Sequence, residues 1–288
     1  MSTTQLNTSV EHSDPPIQMS AFSRGLRRPR TLVGLFIISF FIVLGVMAPF
    51  LSPYSPLDQG FGALEKISFV HPLGTDELGR DLMSRVLFGI RVDLIVAISA
   101  IPVGAFFGCI LGVLSANNRW YGNLLQRFFD LMLAFTALVM GMLVAAIVGS
   151  GITAVIITVA LVNIPLFGRI TRSAVVMQLN RDYAVAAQVL GVSHTRLMWR
   201  HILPNSVDAL IVQAALSFTM AVFIEGAMSF VGVGVRPPDP SLGSTLKASI
   251  NFLSQTPAYS IAPMIVMTFL VLGFTLISDG LNQALLKR

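Results

Sequence analysis

The chain has 288 residues, 54% hydrophobic and only 11% charged, with a mean hydropathy of +0.77. Soluble domains carry roughly 25% charged residues, so this composition excludes a water-covered globule and requires lipid as part of the solvent. The net charge of +5 is read as membrane orientation rather than nucleic-acid binding, because no Lys/Arg stripe is interleaved with exposed aromatics.

In chain order, residues 1–30 read as a cytoplasmic, disordered tail. Met1–Ser23 is polar and rich in Ser, Thr and Pro, and Arg24, Arg27, Arg28 and Arg30 follow. The first apolar run is too long for a signal h-region, so it stays as an anchor. A span needs about 20 apolar residues. Charge-free or nearly charge-free stretches place six spans near 31–51, 94–114, 128–148, 152–168, 209–235 and 259–278. Leu131 to Gly168 is too long for one span, and Gly149-Ser150-Gly151 breaks it into a helical hairpin. The fold class is therefore an all-α membrane protein of six transmembrane helices.

Loop charges set the orientation. Thirteen of the 19 Lys and Arg fall on the N-terminal flank, the loops after spans two and four and the C-terminus, against six on the other face. That bias predicts N-in, C-in topology. The single Cys109 lies in an apolar run and excludes an internal disulfide and any multi-cysteine metal site.

Three further regions depart from a plain bundle. Asp76 to Ile90 is amphipathic, with Leu78, Leu82, Val86 and Ile90 at helical spacing. It is expected to lie as an interfacial helix on the external face, where Asp76, Glu77, Arg80 and Asp81 help seat a binding protein. Gly74-Thr75-Asp76 and Gly79 lack the strand context and the G-K-[ST] ending of a phosphate loop. The long connection from Thr171 to Val207 reads as two short helices: Arg181–Leu190 stopped by Gly191, then His194–Leu203 capped by Ser193 and ended by Pro204-Asn205. Ala186 and Ala187 offer a smooth surface for close contact with another protein, and Arg196 and Arg200 share a face. The bland alternative is an amphipathic hairpin resting on anionic headgroups.

Within the spans, Glu225 is an intramembrane carboxylate and Asn163 an intramembrane amide. With Ser229 they are candidates for lining a pathway or for hydrogen-bonding helices together. Pro165 predicts a kink. His194 and His201 share a helix face but lack two further ligands for a metal. No Ser–His–Asp set, paired carboxylates or Walker-type loop is evident, so the chain is expected to be non-catalytic.

Four blocks carry a family resemblance. Asp182-Tyr183-x-x-Ala186-Ala187-x-x-x-Gly191-Val192-Ser193, followed by Arg200-His201-Ile202-Leu203-Pro204-Asn205, resembles the EAA signature of ABC-importer permeases. His71-Pro72-Leu73-Gly74-Thr75-Asp76-Glu77-Leu78-Gly79-Arg80-Asp81 resembles the block before span two in dipeptide/oligopeptide permeases of the DppC/OppC type. The Met228–Ser241 segment resembles the block ending their span five, and Ser278-Asp279-Gly280-Leu281 their C-terminal signature. The resemblance implies a type I ABC-importer permease in a bacterial inner membrane, crossing it several times. It implies a coupling helix, carried by Asp182, Tyr183, Ala186, Ala187, Gly191, Val192, Ser193, Arg196 and Pro204, that docks on a cytoplasmic ATPase. The implied partners are a second homologous permease, two ATPase subunits that bind ATP and Mg, and an extracytoplasmic binding protein. No cofactor is expected on this chain. The family's usual glutamate and basic residue are replaced here by Val185 and Gln188. Cargo stays open between di- or oligopeptides and nickel, metallophores, glutathione or opines. The competing classes are an ion-driven secondary transporter, for which Glu225 is the sole midplane candidate, and a membrane scaffold.

Overall fold

Leu26, residues 28–116 and residues 120–286 are described by the computed structural model. The tail before residue 26, together with Arg27, Arg119, Lys287 and Arg288, lies outside the described residues. The expectation of disorder over 1–25 and five of the charges counted for orientation therefore lie there too.

The first helix, α1 (Pro29–Val46), has proline in its first turn, where no N–H is needed, and continues after a break at Met47 into the short α2 (Ala48–Leu51). A loop over 52–81 leads to α3 (Leu82–Ser115). Next come α4 (Trp120–Ala134), α5 (Ala137–Val148) and α6 (Ile152–Leu179). The short α7 (Asp182–Val189) and α8 (His194–Leu197) follow. A π turn over Met198–Ile202 joins α8 to α9 (Leu203–Val231), and α10 (Leu242–Ser249) and α11 (Pro257–Leu286) complete the order. Among the described residues the only β pairing is an isolated bridge between Thr75 and Asp81.

α1, α3, α6, α9 and α11 are each long and apolar enough to cross a bilayer, and α4 with α5 makes a sixth span when the pair is counted together. That pair turns through 90° between Ala134 and Ala137. The hairpin turn at Gly149–Gly151 lies where the sequence placed it, but span three is an elbow rather than one helix.

Two apolar clusters organise the bundle. One joins α3, α5, α6 and α9 through Ala97, Ile101, Val155, Phe167, Ala221 and Met228. The other joins α1, α3, α9 and α11 through Ile38, Ile90, Val222, Leu270 and Phe274. α3 and α9 belong to both and form the centre. The closest pairing is α3 on α6, and its cause is a stripe of glycines one turn apart. A Cβ at Gly104 would sit 2.8 Å from the Ala160 carbonyl, one at Gly108 2.6 Å from that of Ile164, and one at Gly112 2.6 Å from that of Gly168. Small residues at this spacing let two backbones touch inside a membrane, where packing rather than hydrophobicity drives association.

Three expectations change. The segment from Asp76 to Ile90 is not an interfacial helix. Asp76 takes the N–H groups of Leu78 and Arg80 into a turn, and the helix starts only at Leu82, where Asp81 accepts the Ser84 N–H at 2.8 Å as its N-cap. From there it runs without a break into span two, with Leu82, Val86 and Ile90 in the core. Pro204 does not end a helix either. Proline lacks an N–H and crowds the carbonyl one turn back. The π turn just before it absorbs this: Leu203 donates to the Met198 carbonyl five residues earlier, and the helix continues. The third change concerns the charges of the loop. Asp76, Arg80 and Asp81 are buried, so their side chains are not a docking surface.

The buried charges instead build a cap on one end of the bundle, here termed the loop end. Arg80 Nε lies 2.5 Å from Asp76 Oδ2. Arg85 Nη1 donates to the carbonyls of Pro56 at 3.2 Å and Pro238 at 3.3 Å, tying two distant loops to α3. His71 Nδ1 lies 3.0 Å from Asp81 Oδ1, with the Tyr54 and Phe61 rings against the imidazole. Glu77, partly exposed, accepts from the Tyr259 hydroxyl at the start of α11.

Candidate functional site

The end opposite the cap, the hairpin end, carries α7, α8 and the π turn. Its local structure follows from the sequence. Asp182 lies in the first turn of α7, where a negative charge favours the helix dipole. Gly191, at φ +78°, terminates α7 in a Schellman motif. The Val192 N–H donates to the Ala187 carbonyl at 3.1 Å and the Gly191 N–H to that of Gln188 at 3.0 Å.

This hairpin has its own small core. Ala184, Leu197, Met198 and Ile202 are buried against Val113 of α3 and Val175 of α6, with Ala187 and Val192 packed beside them. The outward face of α7 is different. Asp182, Tyr183, Val185, Ala186 and Gln188 are exposed, and Val189 and Leu190 are 82% and 83% exposed. Ser193, Arg196, Arg200 and Pro204 are also exposed. The expected pair of smooth alanines therefore splits: Ala186 points out and Ala187 packs inward. A charged end of the molecule thus carries a compact apolar patch that its own fold leaves uncovered, the usual mark of an interaction site. Val185 and Gln188, the two departures from the family signature, lie on this outward face and make it more apolar.

The hairpin is wired to two spans. The Tyr183 hydroxyl donates to Gln178 Oε1 at 2.9 Å, and Gln178 Nε2 donates to the Asn205 carbonyl at 3.2 Å. One hydrogen-bond chain therefore joins α7 to the end of α6 and the start of α9. Asn205 closes it further by donating to the His201 carbonyl at 2.6 Å.

The intramembrane polar residues lie elsewhere. Asn163 is buried between α6 and Gly104 of α3, and its Nδ2 donates to the Val159 carbonyl of its own helix at 2.8 Å. Pro165 lies within α6, which continues through it. Glu225 is buried in α9 and accepts from Ser229 Oγ at 2.8 Å, while Ser229 Oγ accepts the Val235 N–H at 2.9 Å. Facing Glu225 from α3 is Asp93, also buried. The sequence reading missed Asp93 because the charge-free window of span two was counted from Leu94. The signal available was a lone carboxylate directly before an uninterrupted apolar run.

Comparison with known proteins agrees with this architecture. Residues 104–288 match the family described as binding-protein-dependent transport system inner membrane component, and residues 20–66 match the N-terminal transmembrane domain of oligopeptide transport permease C. The chain is 36% identical over 267 residues to the dipeptide transport system permease protein DppC of Alkalihalophilus pseudofirmus, covering 92% of this chain and 88% of that one. It is 36% identical to the di/tripeptide permease DppC of Pseudomonas aeruginosa, covering 88% and 86%, and 32% identical to the glutathione transport system permease GsiD of Pectobacterium atrosepticum, covering 88% and 84%. In fold, it superposes on a chain of the inward-facing MetNI methionine ABC transporter with a TM-score of 0.60 at 15% identity, covering 70% of this chain and 97% of the other. A capped bundle with an exposed, hydrogen-bond-wired hairpin at its other end, on a sequence of this kinship, makes the chain a member of the binding-protein-dependent inner-membrane permease family, of the DppC/OppC type.

Proposed function

We propose that this chain is one of two homologous permease subunits of an ATP-driven importer in a bacterial cytoplasmic membrane, and that its cargo is di- or oligopeptides. The hairpin end faces the cytoplasm and the capped loop end faces outward. The observation that carries the reading is the uncovered apolar face of α7, centred on Ala186, Val189 and Leu190, held at a fixed angle by the turn at Gly191.

A groove in a cytoplasmic ATPase receives that face, and Arg196 and Arg200 meet acidic groups at its rim. Each ATPase binds ATP and Mg; this chain supplies no group to the hydrolysis. When ATP binding draws the ATPases together, α7 moves with them. The chain Tyr183–Gln178–Asn205 passes the displacement into α6 and α9 at once. The bundle then shifts between inward- and outward-facing populations because ATP favours one of them. An extracytoplasmic binding protein delivers peptide at the loop end. Asp76, Arg80 and Asp81 shape that surface from beneath, leaving Glu77 the one of the four with partial exposure.

Reconstitution with the partner permease, the ATPases and the binding protein tests this. Uptake of labelled dipeptide is expected to require ATP in the vesicle compartment reached by the ATPases and to survive ionophores. Uptake that ignores ATP and collapses with the ion gradient overturns the importer reading. Glutathione outcompeting dipeptides would keep the mechanism and reassign the cargo.

A further inference from the structure

The two central spans cross where Asp93 of α3 meets Glu225 of α9. Both side chains are buried, at 2% and 0% exposure, and the two carboxyls lie within hydrogen-bonding reach of each other. The groups that bear on them are few. From α9 the Ser229 hydroxyl donates to Glu225 Oε1 at 2.8 Å, and the Ser241 hydroxyl at the start of α10 lies near Glu225 while donating to Ser244 Oγ at 3.1 Å. Among the described residues no Lys, Arg or His ion-pairs with either carboxyl. Among the described residues no other N–H or O–H donates to either oxygen of Asp93 or to Glu225 Oε2.

Two ionised carboxylates in contact, buried and without a cation, repel each other in a medium that does not screen them. A hydrogen bond between two carboxyls needs a hydrogen that neither ionised group has. The Ser229 hydroxyl donates to Glu225 and favours the negative charge there. Asp93 has no donor of its own and gains most from being neutral.

We propose that Asp93 and Glu225 form a proton-binding site that clamps α3 to α9, with one hydrogen held between the two carboxyls. Asp93 donates it to the Glu225 carboxylate, and the pair carries a single negative charge. Glu225 is six residues from Val231, the last residue of α9, so the clamp lies toward the loop end. Both carboxyls are sealed from solvent while α3 and α9 touch. Separation of the two helices at that end admits water, the O–H bond of Asp93 breaks heterolytically, the proton leaves to water and both carboxylates become hydrated. Closure takes one proton back, with no change of oxidation state. The role of this step in outward opening rests on the importer reading; the clamp itself does not.

Infrared spectroscopy of the purified complex at neutral pH tests it. The wild type is expected to show a protonated-carboxyl C=O band that shifts in D2O, and Asp93→Asn is expected to lose it completely. Asparagine still offers an N–H to Glu225, so the Asp93→Asn complex keeps the wild-type Tm, whereas Asp93→Leu, without a donor, melts lower. Absence of the band in the wild type, or its persistence unchanged in Asp93→Asn, overturns the proposal. So does an Asp93→Asn protein as unstable as Asp93→Leu, the outcome expected if both acids were ionised around a metal or sodium ion. These readouts do not use transport, so failure of peptide uptake bears on the importer reading alone.

Discussion

Two neighbouring methyl groups, those of Ala186 and Ala187, have opposite duties. Ala187 packs on the hairpin core and Ala186 faces outward. Ala186→Glu puts a charge into the proposed ATPase contact without disturbing the fold. Copurification of the ATPase and ATP-dependent uptake are expected to fall at least tenfold for a loss of about 1.4 kcal/mol, while the permease pair still assembles. Ala187→Glu instead buries a carboxylate in the hairpin and is expected to lower the Tm as well. Gly191→Val forces a β-branched side chain into a left-handed conformation, a strain of about 1–2 kcal/mol, and re-aims α7. It too is expected to lower ATPase association with all spans inserted; unchanged association in both Ala186→Glu and Gly191→Val would remove the docking assignment. The signature made Gly191 legible, since a glycine after a helical run names its own turn. The direction of each alanine was not legible, because α7 is short and nearly as apolar outside as inside. Asp93 was hidden for a different reason: a hydropathy window records that a carboxylate lies at its edge but not that a second one waits across the helix crossing.

At the scale of elements, the glycine stripe on α3 decides which helices act together. Gly108→Val would place a Cβ 2.6 Å from the Ile164 carbonyl, an atom of a helix backbone that cannot step aside. The pair must part, and a loss of about 1–3 kcal/mol is expected from such overpacking, read as a lower Tm and a smaller monodisperse fraction in detergent. Wild-type melting of Gly108→Val would show that α3 and α6 are not in backbone contact. The start of α3 illustrates how far pattern reading reaches. Leu82, Val86 and Ile90 do share a helix face, as their spacing said. The error lay in extending that helix back to Asp76, whose carboxylate competes for the very N–H groups a first turn needs, while Asp81 supplies the N-cap five residues later. The charges then looked like a wet face. Asp76, Arg80 and Asp81 are dry because each finds a partner inside the loop, a pairing between side chains that helical spacing does not encode. The π turn before Pro204 was equally invisible: proline announces a disturbance in a helix, but whether the chain stops or widens by one residue depends on what the next turn packs against.

Across the whole molecule, the arginine bias is the support for the proposed orientation, with the hairpin end in the cytoplasm and the loop cap outside. Ser193 and Ser254 are exposed at opposite ends of the bundle, so Ser193→Cys and Ser254→Cys in a Cys109→Ala background are expected to label from opposite sides with an impermeant thiol reagent. Labelling of both from outside would overturn the orientation. Six apolar segments sufficed to read the spans, because crossing a bilayer is a constraint on composition. The elbow in span three escaped that reading, since a bend changes no residue's hydropathy. Its consequence concerns depth. The 12 residues of α5 rise about 18 Å from the Gly149–Gly151 turn, well short of the roughly 30 Å of hydrocarbon. With the Gly149–Gly151 turn at one face of the membrane, the corner at Phe135 and Thr136 lies at hydrocarbon depth, and Ala134, Phe135 and Thr136 are all exposed on this chain. Irregular backbone is not stable against acyl chains, where its carbonyls find no hydrogen. Lipid is the one neighbour this corner excludes, and in the proposed importer the second permease subunit, or the wet path between the two, would cover the flank that carries it.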